Sequence, residues 1–203
     1  MRARHLCKAL LFCCFAFSSA ATAGASSGST PKQDKSWKRY HNPQWGYCIS
    51  YPSRWRKGDA FEGSGIFVET GVNKESNPLG EIDVAALPDA SVNPQLNFVD
   101  LIQIHLEGLK KFARAEQVQL LEHRSMDLFG TSALFAKERY YDPLERSTWM
   151  EEIVFLAWHN VLYRLELECR ADQLTRFEPV FTRLVSTFQL DCTERRQSSA
   201  DGR

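Results

Sequence analysis

The chain has 203 residues, the size of one large domain or two small ones. Hydrophobic residues make up 43% and charged residues 25%, a balance that buries a core and excludes a wholly disordered chain. Lys+Arg and Asp+Glu both number 25, which argues against a nucleic-acid binder that relies on a strongly basic field, and no apolar run reaches the roughly 18–20 residues that span a bilayer.

Met1 to Ala23 has the three parts of a secretory signal peptide. Arg2, Arg4 and Lys8 form a positive opening, Ala9 to Phe17 an apolar stretch too short to anchor, and Ala21-Thr22-Ala23 a small-residue cleavage site. A lipoprotein would need a Cys directly behind small residues at the cleavage point. Cys13 and Cys14 instead follow Leu11-Phe12, so a soluble exported protein is favoured over a lipid-anchored one. Cleavage after Ala23 would take 23 of 203 residues, with three of the 25 basic and none of the 25 acidic ones, leaving 22 positive charges against 25 negative. Residues 24–36 are rich in Gly, Ser and Thr and read as a flexible linker. A single domain is expected over residues 37–192, followed by a polar, fraying tail at 193–203.

Within the domain the hydrophobic period switches between two and about 3.6. Tyr47, Ile49 and Tyr51 alternate with Cys48 and Ser50 in a short strand ended by Pro52. Gly65 to Thr70 and Glu81 to Leu87 are two more strands. Asn97 to Ala113 is a helix with Phe98, Leu101, Ile102, Leu106, Leu109 and Phe112 on one face, Asn97 as its N-cap and Asp100 in its first turn. Gln117 to His123 and Ser132 to Tyr140 flank a turn at Phe129-Gly130. Thr148 to Trp158 and Val161 to Cys169 are separated only by His159-Asn160, a two-residue hairpin spacing. The unbroken apolar run Ile153 to Trp158 suits a strand covered on both faces. Asp172 then caps a last helix with Leu174, Phe177, Phe181, Leu184 and Phe188 at helical spacing, kinked at Pro179 or starting one turn later. This order predicts an antiparallel α+β domain with helices packed on the sheet.

Three cysteines follow the leader: Cys48, Cys169 and Cys192. In an oxidising compartment they predict one disulfide and one buried thiol, or one cysteine paired with another chain. Their wide spacing does not resemble a zinc site. The last helix runs about 15–22 Å away from Cys169 at 1.5 Å per residue, and the four residues after Phe188 return at most about 14 Å. Cys48–Cys192 is therefore the favoured pair, and Cys169, inward with Leu165 and Leu167, the buried thiol.

The stretch Gly46-Tyr-Cys-Ile-Ser-Tyr-Pro-Ser-Arg-Trp55 resembles the opening strand of PsbP-like domains, where a short aromatic strand enters a Pro-Ser-x-Trp turn. The Phe129-Gly130 turn, the strands around His159-Asn160 and the closing Val185-Ser-Thr-Phe188 fall where that family has its counterparts, so the resemblance covers roughly Tyr40 to Leu190. It implies a three-layer α/β/α sandwich around a mainly antiparallel sheet of about seven strands. The roles it implies are protein binding and scaffolding rather than catalysis, which is an inference by analogy.

Candidate chemistry is sparse. Trp37, Tyr40 and Trp45, set among basic residues, could form a ligand, glycan or partner surface, although packing on the core is the simpler role for this aromatic stretch. Ser64, between Gly63 and Gly65, lacks the context of a nucleophile elbow. Of the histidines, His105 diverges from Glu107 on its helix and His159 occupies a hairpin turn. Glu138, Asp142, Glu145 and Glu151-Glu152 form no calcium loop, and strand alternation puts Glu151 and Glu152 on opposite faces, so a solvated acidic rim is expected. These residues predict an exported, non-catalytic domain that binds another envelope protein, with no cofactor, metal or nucleic acid. The alternatives are a small-ligand or glycan-binding module and a hydrolase of unrecognised type built on Ser64 or His159.

Overall fold

Two pairs of residues in the left-handed region set the long hairpins. Phe129 and Gly130 have φ of 57° and 80°, and His159 and Asn160 have φ of 46° and 62°. Positive φ at both central positions is the turn geometry whose twist matches antiparallel strands. The computed structural model describes residues 36–59, 65–72, 78–88 and 98–192. In chain order these form β1 (Trp37–Asn42), β2 (Tyr47–Pro52), β3 (Arg56–Asp59), β4 (Gly65–Val72), β5 (Pro78–Pro88), α1 (Phe98–Lys111), β6 (Glu116–Leu128), β7 (Thr131–Asp142), β8 (Ser147–Trp158), β9 (Val161–Arg170), α2 (Leu174–Thr187) and β10 (Gln189–Leu190). The predicted helices and strands are all present, and β1, β3 and β10 are additions.

The strands form an antiparallel seven-stranded sheet in the order β3-β4-β5-β9-β8-β7-β6 and a small sheet in the order β1-β2-β10. The expected α+β, three-layer arrangement is what results. On one face of the large sheet, Ile82, Val84, Leu165, Leu167, Val154 and Leu156 form the main core with Phe177, Phe181 and Leu184 of α2 and with Tyr47 and Ile49 of the small sheet. On the other face α1 places Leu101, Ile102 and Leu106 over Leu134, Ala136, Ile153, Phe155 and Leu162. Gly80 of β5 lies flat under α2: a Cβ there would stand 2.8 Å from the Phe177 ring.

The last helix differs from expectation at its start. Ala171–Gln173 is a single 3₁₀ turn, Gln173 is the N-cap without a side-chain hydrogen bond, and Asp172 lies inside the turn rather than capping the helix. Pro179 is accommodated within α2. Asn97, the expected cap of α1, lies outside the described residues.

Candidate functional site

The cysteines pair as Cys48–Cys192 with Cα atoms 5.7 Å apart, and Cys169 is a buried free thiol. Cys192 is carried there by β10, which pairs Gln189 with Cys48, and its amide donates to the Gly46 carbonyl at 3.0 Å.

Trp37 and Tyr40 lie on β1 and Trp45 in the turn before β2, all half-buried and packed against the main core. The Arg183 guanidinium sits 4.2 Å over the Trp37 ring and Lys57 Nζ 5.2 Å over the Tyr40 ring. Tyr163 donates its hydroxyl to the Trp45 carbonyl at 2.8 Å. His159 is in its hairpin turn, stacked on Trp158 at 4.6 Å, and Ser64 lies outside the described residues.

The acidic residues depart most from expectation. Glu151 and Glu152 do face opposite sides of the sheet, but neither is on a solvated rim: they are 1% and 2% exposed, and Glu138 is 0% exposed. Asp142 is buried too, accepting the amides of Leu144 and Glu145 at 2.7 and 3.1 Å and so shaping the β7–β8 turn. The physical reason is the layering, since α1 covers one face and α2 the other, so the short side chains of Glu138, Glu151 and Glu152 are enclosed while the longer Lys137 and Arg139 of β7 still reach water.

Beneath α1 the registers gather carboxylates into a patch. Glu138 stands opposite Glu151, and Glu151 opposite Glu168. Glu166 lies one pleat further along β9, opposite Asp83 of β5. Into this patch α1 lowers His105, whose Nε2 is 2.8 Å from Glu151 Oε2 and 3.6 Å from Glu138 Oε2. Arg164 Nε is 3.0 Å from Glu166 Oε2, and Tyr140 donates its hydroxyl to Glu168 Oε1 at 2.7 Å. Neither oxygen of Glu138 has a hydrogen-bond partner among the described residues.

Burial, reinforced by Glu151 and Glu166, pushes the Glu138 carboxyl up to about 8 despite the attraction of His105. Burial also raises Glu151, with the hydrogen bond from His105 opposing it. For His105 burial works toward the neutral form, but the hydrogen bond and charge of Glu151, with Glu138 and Glu166, outweigh it and raise its pKa. Burial thus favours the protonated forms of Glu138 and Glu151, and the nitrogen and oxygen atoms of the patch converge from α1, β7 and β8.

Two signals for this patch were present in the sequence. His105 lies between Leu101-Ile102 and Leu109, inside the apolar stripe of its helix. A four-residue turn between Asp142 and Ser147 places Glu138 opposite Glu151 by counting back equally along both strands. Reading the acidic residues as surface concealed both.

No protein-family model matches the chain, and no curated protein matches it. Solved structures do. Cyanobacterial PsbP (CyanoP) from Synechocystis matches with a TM-score of 0.55 at 15% identity, over 82% of this chain and 98% of that one. A protein of unknown function from Pseudomonas aeruginosa matches with a TM-score of 0.50 at 13% identity, over 77% and 99%. A protein from Bacteroides thetaiotaomicron matches with a TM-score of 0.50 at 12% identity, over 78% of this chain and 50% of that one. The chain therefore has a PsbP-like fold, and identities this low speak for the fold alone.

Proposed function

We propose that this chain is an exported domain of the bacterial cell envelope that binds an extended segment of another envelope protein along the open edge of β6, without catalysis of its own. Export is supported by the leader pattern of Met1 to Ala23 and by the Cys48–Cys192 bridge, which persists in an oxidising compartment. The observation that carries the binding reading is β6 itself. It is 13 residues long, ends the large sheet, and pairs only with β7 among the described residues. Every residue from Gln119 to Ser125 is exposed, so neither face of this stretch lies under a helix.

A strand edge offers unpaired N–H and C=O groups to another strand. The aliphatic Leu120 and Leu121, 38% and 49% exposed, would lie beside side chains of the incoming segment, and aliphatic residues in that segment would match them. The register shift between Leu120 and Glu122 twists this edge, and the Glu122–Arg124 ion pair at 2.9 Å adds charge to it. Both devices guard an open edge against indiscriminate pairing and leave it to a partner that fits the bend.

The test places a photo-cross-linking residue at Leu121 and, as a control, at Leu144, which is 80% exposed in the β7–β8 turn. In intact envelopes position 121 should capture one protein and position 144 should not. Leu121→Lys should abolish co-purification of that protein while leaving the circular dichroism spectrum unchanged. Equal capture from both positions, or a Leu121→Lys variant that retains the partner, would refute this reading.

A further inference from the structure

We propose that His105, Glu138 and Glu151 form a binding site for a divalent transition-metal ion beneath α1. Each residue offers one ligand atom, His105 Nε2 and a carboxylate oxygen from each glutamate, and these atoms all lie within 4.8 Å of one another. Ligand atoms about 2.0–2.2 Å from a tetrahedral ion stand roughly 3.3–3.6 Å apart. The 3.6 Å from His105 Nε2 to Glu138 Oε2 meets that spacing, and the 2.8 Å contact to Glu151 has to open by only about 0.5–0.8 Å.

Charge gives the second reason. A buried carboxylate without a cation or hydrogen bonds is expensive, and Glu138 has no hydrogen-bond partner for either oxygen although it is wholly buried. The charged groups around it are His105 of α1, Glu151 directly opposite on β8 and Glu166 of β9. Carboxylates outnumber cations among them. A divalent ion held between them would supply the positive charge that the buried carboxylates lack.

The donor set selects the ion. One imidazole with two carboxylates suits Zn²⁺ or Mn²⁺, whereas Ca²⁺ takes six to eight oxygen ligands. Three elements supply the ligands, so only a small adjustment is needed for them to close on an ion. Glu151 also belongs to a second convergent group with Glu166 and Glu168, all buried or nearly so, and is tied there by its place opposite Glu168. His105, 12% exposed, is the member of the triad through which an ion would enter past α1.

The experiment uses the full exported chain, treated with chelator and titrated calorimetrically with Zn²⁺ and with Mn²⁺, while thermal unfolding is followed in parallel. One ion should bind per chain, and a hundredfold excess over its dissociation constant should raise the unfolding midpoint by about 5–10 °C. Glu138→Gln replaces a buried carboxyl that has no hydrogen-bond partner with an uncharged isostere, so it is expected to fold at least as well as the wild type without metal, while its affinity should fall about 10–100-fold. His105→Gln should lose affinity to a similar extent. Absence of heat and of any thermal shift with both ions would overturn the proposal. So would binding that is unchanged in Glu138→Gln, which would locate the ion at a surface histidine such as His123 instead.

Discussion

At the scale of single residues, the interior of the large sheet is defined by charges that strand alternation sorts to one face or the other. Glu152 points away from α1, toward α2, where Lys137 Nζ stands 2.8 Å from its Oε1 and 3.1 Å from Glu178 Oε1. Burial raises the Glu152 pKa and Lys137 opposes it. Lys137 would be lowered by burial, but Glu152 and Glu178 raise it overall. Lys137 is partly exposed, so removing it leaves the buried Glu152 carboxylate without its partner at a cost of about 1–3 kcal/mol. Lys137→Met should therefore lower the urea-unfolding free energy by about that much, and Lys137→Met with Glu152→Leu should recover most of the loss. An unaltered denaturation midpoint in the single variant would mean that Glu152 is stable as the neutral acid. The alternation of Glu151 and Glu152 was legible from a period of two. Their burial was not, because it depends on helices that arrive from elsewhere in the chain.

At the scale of elements, α1 is held to the sheet by apolar contacts on either side of the carboxylate patch, with Leu109, Tyr140 and Trp149 forming a further small cluster near its C-terminal end. The patch makes this union pH-dependent. A folded-state pKa raised above the unfolded value contributes stability that is full below the unfolded value and lost as pH rises through the folded one. Glu138, raised from 4.5 to about 8, and His105, raised from 6.5, have the same sign. In chelator-treated protein the unfolding free energy should thus fall progressively as pH rises from about 4.5 through 8, and Glu138→Gln should flatten that slope. A flat wild-type profile across this range would show that Glu138 is not protonated in the folded protein. The hairpins at Phe129-Gly130 and His159-Asn160 were legible because two-residue turns are local. β1 and β3 pair with the next strand in the chain and were missed because they are short and mostly polar, and β10 was missed because its two residues pair with a distant strand. Gln189, for instance, pairs with Cys48.

At the scale of the molecule, the Cys48–Cys192 bridge joins positions 144 apart in sequence and ties the small sheet's first hairpin to the end of the chain. Closing so large a loop constrains the unfolded chain strongly, and losing a native bridge typically costs about 2–5 kcal/mol. Replacing both cysteines by serine should lower the denaturation midpoint in guanidinium and steepen the slope, because the unfolded chain is then free to expand. Cys169 should meanwhile resist alkylation until the protein unfolds, because burial, with Glu152 and Glu168 nearby, pushes its thiol up to about 12. Rapid labelling of Cys169 in native protein would contradict the packing of β9 against the main core.

What the sequence determined by itself is whatever depends on neighbours along the chain: the periods that separate strands from helices, the tight turns, the aromatic β2 segment, and through chain reach the pairing of Cys48 with Cys192. The tertiary structure alone decided which polar residues are interior. Asp83, Glu138, Glu151, Glu152 and Glu166 are buried because α1, α2 and the neighbouring strands cover them, and each would be equally at home on an exposed strand face. Burial is a property of what lies across the gap, supplied here by residues tens of positions away. His105 meets Glu151 across 46 positions for that reason, and no local pattern around either residue states that they touch.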